Sequence, residues 1–330
     1  MLPQVRLQPF YPGQLGVSGS DVQRGLRWEP TGIVLYVDEN HPNATAVGDG
    51  TDPEQPLTTI QVAINNLIAF ATAMSCSLEG SAIVVASEAT IAESVSIPNT
   101  APTHCMILGS GSSAHQPTWT AATAAGTALV VNQIGWTIEG FTFETGAAGT
   151  AIELSGTGSS GAYKTTIRNC RFDGLWGGLY GIDFTGAPHR VRIENCEFLE
   201  YRRTDNTAYG IIVTDSSDSN PYECHIVNNV FWENENHVGS LNSIHAWNVS
   251  TFMGNVFHEG ELITATQMLD LRGGSRGNNI VTQNVFCGTY SQAAGYHANA
   301  GSPGNWVGNI AEDVASAQVA DNGFTVAVPV

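Results

Sequence analysis

Four ionisable residues recur at one point of five similar short segments, and they are the chain's best material for chemistry. The segments are Ala151-Ile152-Glu153-Leu154, Gly181-Ile182-Asp183-Phe184, Gly210-Ile211-Ile212-Val213, Ser243-Ile244-His245-Ala246 and Met268-Leu269-Asp270-Leu271. Apolar residues alternate in each, as in a strand with one buried face, so Glu153, Asp183, Ile212, His245 and Asp270 are expected to point outward. Two residues further on, Ser155, Thr185, Thr214, Trp247 and Arg272 form a second outward set. Carboxylates, a histidine, an arginine and a tryptophan on one strip suit a sugar. The indole stacks on a pyranose face while charged groups bind hydroxyls, which makes Trp247, His245 and Asp183 the expected glycan contacts. Glu153, Asp183, His245, Asp270 and Arg272 are the residues with catalytic potential.

Glycoside hydrolysis needs two carboxylates about 5 Å apart for retention, or about 6.5–9.5 Å apart for inversion. If the segments stack, Glu153 and Asp183 on adjacent layers meet the shorter distance, whereas Asp183 and Asp270 stand about 14 Å apart. Elimination by a lyase needs a base and usually a cation to acidify the α-proton of a uronate. His245 or Arg272 beside Asp270 has the chemistry for those roles. A plainer reading stands beside both: every solvated strand shows polar residues outward, and neighbouring carboxylates there need do no chemistry. His237 and Glu235, in the stretch Trp232–Gly239, read more simply as an exposed loop.

The elements that must position these residues announce themselves as a repeat. Thr137-Ile138-Glu139-Gly140-Phe141-Thr142-Phe143 returns as Thr166–Phe172, Arg192–Phe198, His225–Phe231, Thr251–Phe257 and Ile280–Phe286, and last as Asn305–Ala311. The final residues fall at 143, 172, 198, 231, 257, 286 and 311, spaced by 25 to 33. A near-constant period with variable excess is the mark of a solenoid with loop insertions. Strands in successive coils then stack about 4.8 Å apart. The fifth motif position reads Phe141, Cys170, Cys196, Asn229, Asn255, Asn284 and Asn309, and stacked asparagines can pass amide hydrogen bonds from coil to coil. Cys170 and Cys196 fall in the same column; in-register side chains do not naturally face each other, so a disulfide between them stays open. The fold expected is all-β: a right-handed parallel β-helix with a short N-terminal capping α-helix.

That helix is expected near 58–72, where Ile60, Ile64, Leu67 and Ile68 follow helical spacing and can close the open end of the first coil. Tyr36-Val37-Asp38, Gly48-Asp49-Gly50-Thr51 and Pro56-Leu57-Thr58-Thr59-Ile60-Gln61 resemble the opening segment of pectate-lyase-like β-helix proteins. With the coils, the resemblance spans roughly 33 to 312. It implies the fold and leaves the activity open, because that superfamily holds lyases, hydrolases, epimerases, phage tailspikes and adhesins. The catalytic motif of a pectate lyase has no residue-by-residue match here. The expected organisation is an extended arm over 1–32, the β-helix over 33–312, and a cap or subunit-contact tail over 313–330.

Composition narrows the partners. Formal net charge is −18, and Lys164 is the only lysine, so nucleic acid is excluded as a partner while a hydroxyl-rich glycan is tolerated. No stretch approaches the roughly 20 apolar residues that cross a bilayer, so no membrane partner is expected. The six cysteines lack zinc-site spacing and read as buried thiols. No cofactor is expected. Calcium is a weak possibility in the loops Asp215-Ser216-Ser217-Asp218-Ser219-Asn220 and Asp38 with Asp49 and Asp52, neither of which has EF-hand spacing. The start, Met1-Leu2-Pro3-Gln4, lacks a secretory signal's features. Together with the arm, the apolar tail and the missing catalytic motif, this favours a structural or adhesive phage virion protein without catalysis, such as a head decoration, spike or tail component. The resemblance implies a homotrimer. Separately, the arm is expected to grip other virion proteins, and a cell-surface glycan is an expected target. The alternative is a secreted polysaccharide lyase or glycoside hydrolase working in a lateral groove.

Overall fold

The computed structural model describes residues 32–203, 205, 207–214, 221–240, 247–259, 267–271, 279–287, 297–298 and 305–311. The arm and the tail therefore lie outside the described residues, apart from Gly32. Each repeat of the motif is two short strands meeting at a corner, three residues each in all but the last, as in Thr166–Arg168 and Arg171–Asp173. The corner sits at the fourth motif position. Gly140, Asn169, Asn195, Asn228, Gly254, Gln283 and Gly308 all take left-handed φ values there, between 54° and 81°. Glycine and asparagine enter that region most cheaply, which is why they dominate the position.

A third strand completes each coil, so the chain winds through three parallel sheets, of ten, nine and eight strands. We call them A (first half of the motif), B (second half) and C (the segments bearing Glu153 and Asp183). Registers follow the repeat: Ile138, Ile167, Ile193, Ile226 and Phe252 pair in sheet A, and Phe143, Phe172, Phe198, Phe231, Phe257 and Phe286 pair in sheet B. The expected right-handed parallel β-helix is the fold observed.

The interior is organised by two columns. The six phenylalanines stack with centroid separations of 5.1, 4.7, 4.8, 4.9 and 5.1 Å and near-parallel planes. Beside them runs the amide ladder. Asn255 Oδ1 accepts from the Asn229 backbone N–H at 3.0 Å and from Asn229 Nδ2 at 3.1 Å. Its own Nδ2 donates to the Ile226 carbonyl at 2.9 Å and to Asn284 Oδ1 at 3.0 Å. Asn284 repeats the arrangement toward Asn309. The ladder satisfies backbone groups that the corner removes from the sheets; each one left unpaired in the core costs about 1–3 kcal/mol. Upstream, Asn229 Oδ1 accepts from the Cys196 N–H, and Cys170 and Cys196 are both free thiols.

Helix α1 spans Ile60–Met74, with Thr59 as N-cap accepting from the Val62 N–H at 3.2 Å. Ile60, Ala63, Ile64 and Leu67 close the end of the first coil. Glu93, in the link between the strands Thr90–Ala92 and Val95–Ile97, accepts from the Ile60 N–H at 2.6 Å and fixes the helix start. In the loop before it, Asp38, Asp49 and Asp52 each accept from the backbone N–H two residues on, as Asx turns. The Asp215–Asn220 loop lies outside the described residues. Among the described residues no helix is long and apolar enough to cross a membrane.

One coil departs from expectation. The sheet C strand expected at Ser243–Ala246 is instead Asn236–Ser240, with Tyr209 paired to Asn236 and Ile211 to Val238. Its sequence, Asn-His-Val-Gly-Ser, lacks apolar alternation because a histidine takes an inward position.

Candidate functional site

Sheet C carries the site because its outer face holds buried polar chemistry. In Tyr180–Phe184 all five residues are buried. Gly181 faces the core, where an added Cβ would lie 3.0 Å from Phe198 Cδ1, and Gly210 meets Phe231 in the same way. Two successive inward residues shift the alternation, so Tyr180 and Tyr209 turn outward. There they form a separate apolar cluster with Ile212 and Leu179. The Tyr209 ring lies over Gly239, where no side chain would fit.

Asp183 sits beside that cluster and is only 7% exposed. Burial pushes its carboxyl up to about 7; a hydrogen bond from Thr214 pulls the other way, and the charge of Glu153 adds to the rise. The Thr214 hydroxyl donates to Asp183 Oδ1 at 2.7 Å. Glu153 is Asp183's register partner in the preceding coil, and the Thr185 hydroxyl donates to Glu153 Oε1 at 2.9 Å. Each carboxylate is thus held by a threonine of the next coil. Asp183 and Glu153 stand one coil step apart, about 4.8 Å by strand spacing.

The remaining expected residues fare differently. Ile212 follows Asp183 in the column but is fully buried, and Gly239 holds the next place, which His245 was expected to fill. Asp270 comes after it, one residue past the Val238–Leu269 pair. His245 and Arg272 lie outside the described residues. Trp247 is a correction: it is fully buried, edge-on to Phe184 at 5.0 Å and to Phe252 at 5.4 Å. It stands just before a sheet A strand, at a corner where the coil interior needs a large side chain, and cannot stack on a sugar. His237 is likewise no exposed loop residue. It is fully buried on a strand, and burial pushes its imidazole down to about 3.

The tryptophans that do face solvent were not anticipated. Trp176 stands at the corner between sheets B and C, and Trp232 ends the sheet B strand Val230–Trp232 just before that corner in its own coil. Trp176 is 50% exposed, and the Arg202 guanidinium lies over its ring at 3.4 Å. Arg202 also approaches Glu233 at 3.8 Å. Trp232, 41% exposed, stacks on His258 at 4.1 Å with planes 8° apart. Glu200 joins them, its carboxyl raised by burial and by the nearby Asp173. Trp176, Glu200 and Glu233 all take left-handed φ values of 53° to 62°, a conformation that costs a non-glycine residue energy and gathers at functional corners. A sequence signal existed: Phe-x-Glu recurs at Phe198-Leu199-Glu200, Phe231-Trp232-Glu233 and Phe257-His258-Glu259. The corner and the sheet C face adjoin through Arg203, whose N–H is 3.3 Å from Glu235 Oε2 and whose charge reaches Tyr180.

Comparison with known proteins agrees with this architecture. Residues 127–310 match the family profile described as the right-handed beta helix region. No curated protein matches the chain. Among solved structures, a pectin methylesterase from Aspergillus niger is 15% identical, with 92% of each chain covered and a TM-score of 0.48. A lacto-N-biosidase from Eubacterium ramulus is 10% identical over 90% of this chain and 67% of that one, at a TM-score of 0.50. The tailspike of the E. coli bacteriophage HK620 is 13% identical over 71% of this chain and 48% of its own length, at 0.38. At these identities the likeness is one of fold. The three-sheet coil, its aromatic and amide columns and the matched profile give one conclusion: this chain belongs to the right-handed β-helix family.

Proposed function

We propose that this β-helix is an adhesive, glycan-binding protein, and that the strip joining the B–C corner to the outer face of sheet C is its binding surface. The observation that carries the reading is the pair of half-exposed indoles, Trp176 and Trp232. Each is braced on one side, by Arg202 and by His258 respectively. Rigid aromatic faces beside carboxylates suit pyranose rings edged with hydroxyls, and the net charge of −18 disfavours phosphate backbones. The setting proposed is a phage virion, with three copies associated, the arm over 1–32 holding other virion proteins, and a cell-surface glycan as target.

The test is a bacterial glycan array probed with the intact chain. Trp176→Ala and Trp232→Ala are each expected to weaken binding about tenfold or more, as removal of a buried-on-binding aromatic anchor does. Sedimentation of the same sample is expected to give a three-chain mass. Unchanged binding by both variants would refute the strip, and a monomer would count against the virion setting.

A further inference from the structure

The sheet C end of the strip holds more than a binding surface needs. A surface that only grips hydroxyls gains nothing from a carboxyl that is only 7% exposed, since burying that group is costly. Asp183 is buried, yet its partner Glu153 is half-buried and one coil step away. The two carboxyls also differ in surroundings. Asp183 is buried, with Ile212 as its register partner, which favours its neutral acid form, while Glu153 is only half-buried and accepts from the Thr185 hydroxyl. An acid and a carboxylate placed about 5 Å apart match the spacing of a double displacement at a sugar's anomeric carbon.

We propose that Glu153 and Asp183 hydrolyse a glycosidic bond of the bound glycan with retention of configuration, Glu153 as nucleophile and Asp183 as acid and base. This inference rests on the glycan-binding reading above. In the first step a Glu153 carboxylate oxygen bonds to the anomeric carbon. The bond from that carbon to the leaving oxygen breaks, and the leaving oxygen takes the Asp183 proton. A glycosyl ester on Glu153 and an Asp183 carboxylate remain. In the second step Asp183 removes a proton from water, and the water oxygen bonds to the anomeric carbon. The ester bond breaks, restoring the Glu153 carboxylate and the Asp183 acid. One water is consumed and nothing is oxidised or reduced. Thr185 and Thr214 are positioning residues, each holding one carboxylate in its rotamer.

The intact chain is incubated with each polysaccharide that it binds on the array, and with 4-methylumbelliferyl glycosides of glucose, galactose, mannose, rhamnose and N-acetylglucosamine. Release of reducing ends with retained anomeric configuration is expected, read by NMR at early times. At saturating glycan, Asp183→Asn and Glu153→Gln are expected to lower the rate at least a hundredfold. Azide added to Glu153→Ala is expected to restore turnover and give a glycosyl azide of opposite configuration, a result that a merely misfolded variant cannot give. Thr214→Val is expected to keep retention while moving the alkaline limb of the pH profile upward, because the Thr214 hydrogen bond lowers the Asp183 carboxyl. Bound polysaccharides left uncleaved, or cleaved equally by both carboxylate variants, would overturn the proposal and leave the adhesive reading standing. Inverted product would overturn the assigned roles. Absence of binding to every glycan would sink both.

Discussion

Phe198→Ala is expected to destabilise the fold by about 3–5 kcal/mol, the loss typical of a fully buried aromatic. Phe198 is the middle of the aromatic column, 4.7 Å from Phe172 and 4.8 Å from Phe231, with planes within 8° of each. It has no solvent exposure. The size of the loss depends on whether the site can collapse around the missing ring. Here it cannot easily do so, because the strands above and below are held at fixed spacing by parallel backbone ladders. Gly181 beyond the ring also has no side chain with which to fill the void. In a solenoid each coil is stabilised through its neighbours, so the damage falls on two interfaces at once. Val230→Ala serves as the comparison. Val230 lies one residue before the column on the outward side and is 36% exposed, so its loss is expected to cost under about 1 kcal/mol. Urea unfolding followed by circular dichroism measures both. Equal losses in the two variants would show that the column is not the core of the molecule.

The second large effect is a pair of opposed pH dependences. His237 is neutral in the fold because burial holds it down to about 3, with His258 adding to the effect. Geometry gives the same answer. Asn234 Nδ2 donates to His237 Nδ1 at 3.2 Å, and that amide cannot flip: Nδ2 also donates to the Phe198 carbonyl, and Oδ1 accepts from the Tyr201 N–H. A second ring proton would point at a donor. His237 Nε2 has no partner among the described residues. Between pH 6.5 and 3 the unfolded chain therefore takes up a proton that the fold refuses, and stability falls as pH falls, by roughly 1.4 kcal/mol per unit. Asp183 acts in the other direction. Its folded value of about 7 lies above its ordinary 3.8. Its contribution is fully present below pH 3.8 and is lost as pH rises toward 7.

The two nearly cancel across the overlapping window in the wild type. Relative to wild type, His237→Met is expected to gain about 3 kcal/mol as pH drops from 6.5 to 4, and Asp183→Asn to lose about as much. Taking differences against wild type removes the titrations of all other groups. Differences that do not vary with pH would mean that both groups titrate as in the unfolded chain.

These residues also show what the sequence could and could not disclose. The A and B sheets were legible because one motif carries two independent columns, Phe at the seventh position and Asn at the fifth, and both recur with a coil's period. The helix was legible because its apolar spacing and Thr59 are local signals. The corner inside the motif was less so, although glycine and asparagine at its fourth position were the clue. The site was harder. Alternation placed Asp183 on the outer face but could not show it buried, because the apolar cluster of Tyr180, Tyr209 and Ile212 on that face comes from two coils and from a shift of pleat at Gly181. His237 hid a strand by occupying an inward place without an apolar side chain. That error displaced the register by one segment and carried Trp247 onto a surface it does not occupy. Trp176 was missed because it belongs to a corner, where no period of two or seven operates; Trp232 alternates outward at the end of its strand, one residue past the seven-residue motif, and was passed over there.

The central claim is that a glycan lies along the B–C corner and the outer face of sheet C, and hydrogen–deuterium exchange of the intact chain with and without its best array glycan tests it most directly. Slower exchange is predicted across 173–180, 199–203 and 232–236, with no change at Thr166–Arg168, Arg192–Glu194 and His225–Val227 on sheet A. Protection confined to those sheet A strands would contradict it.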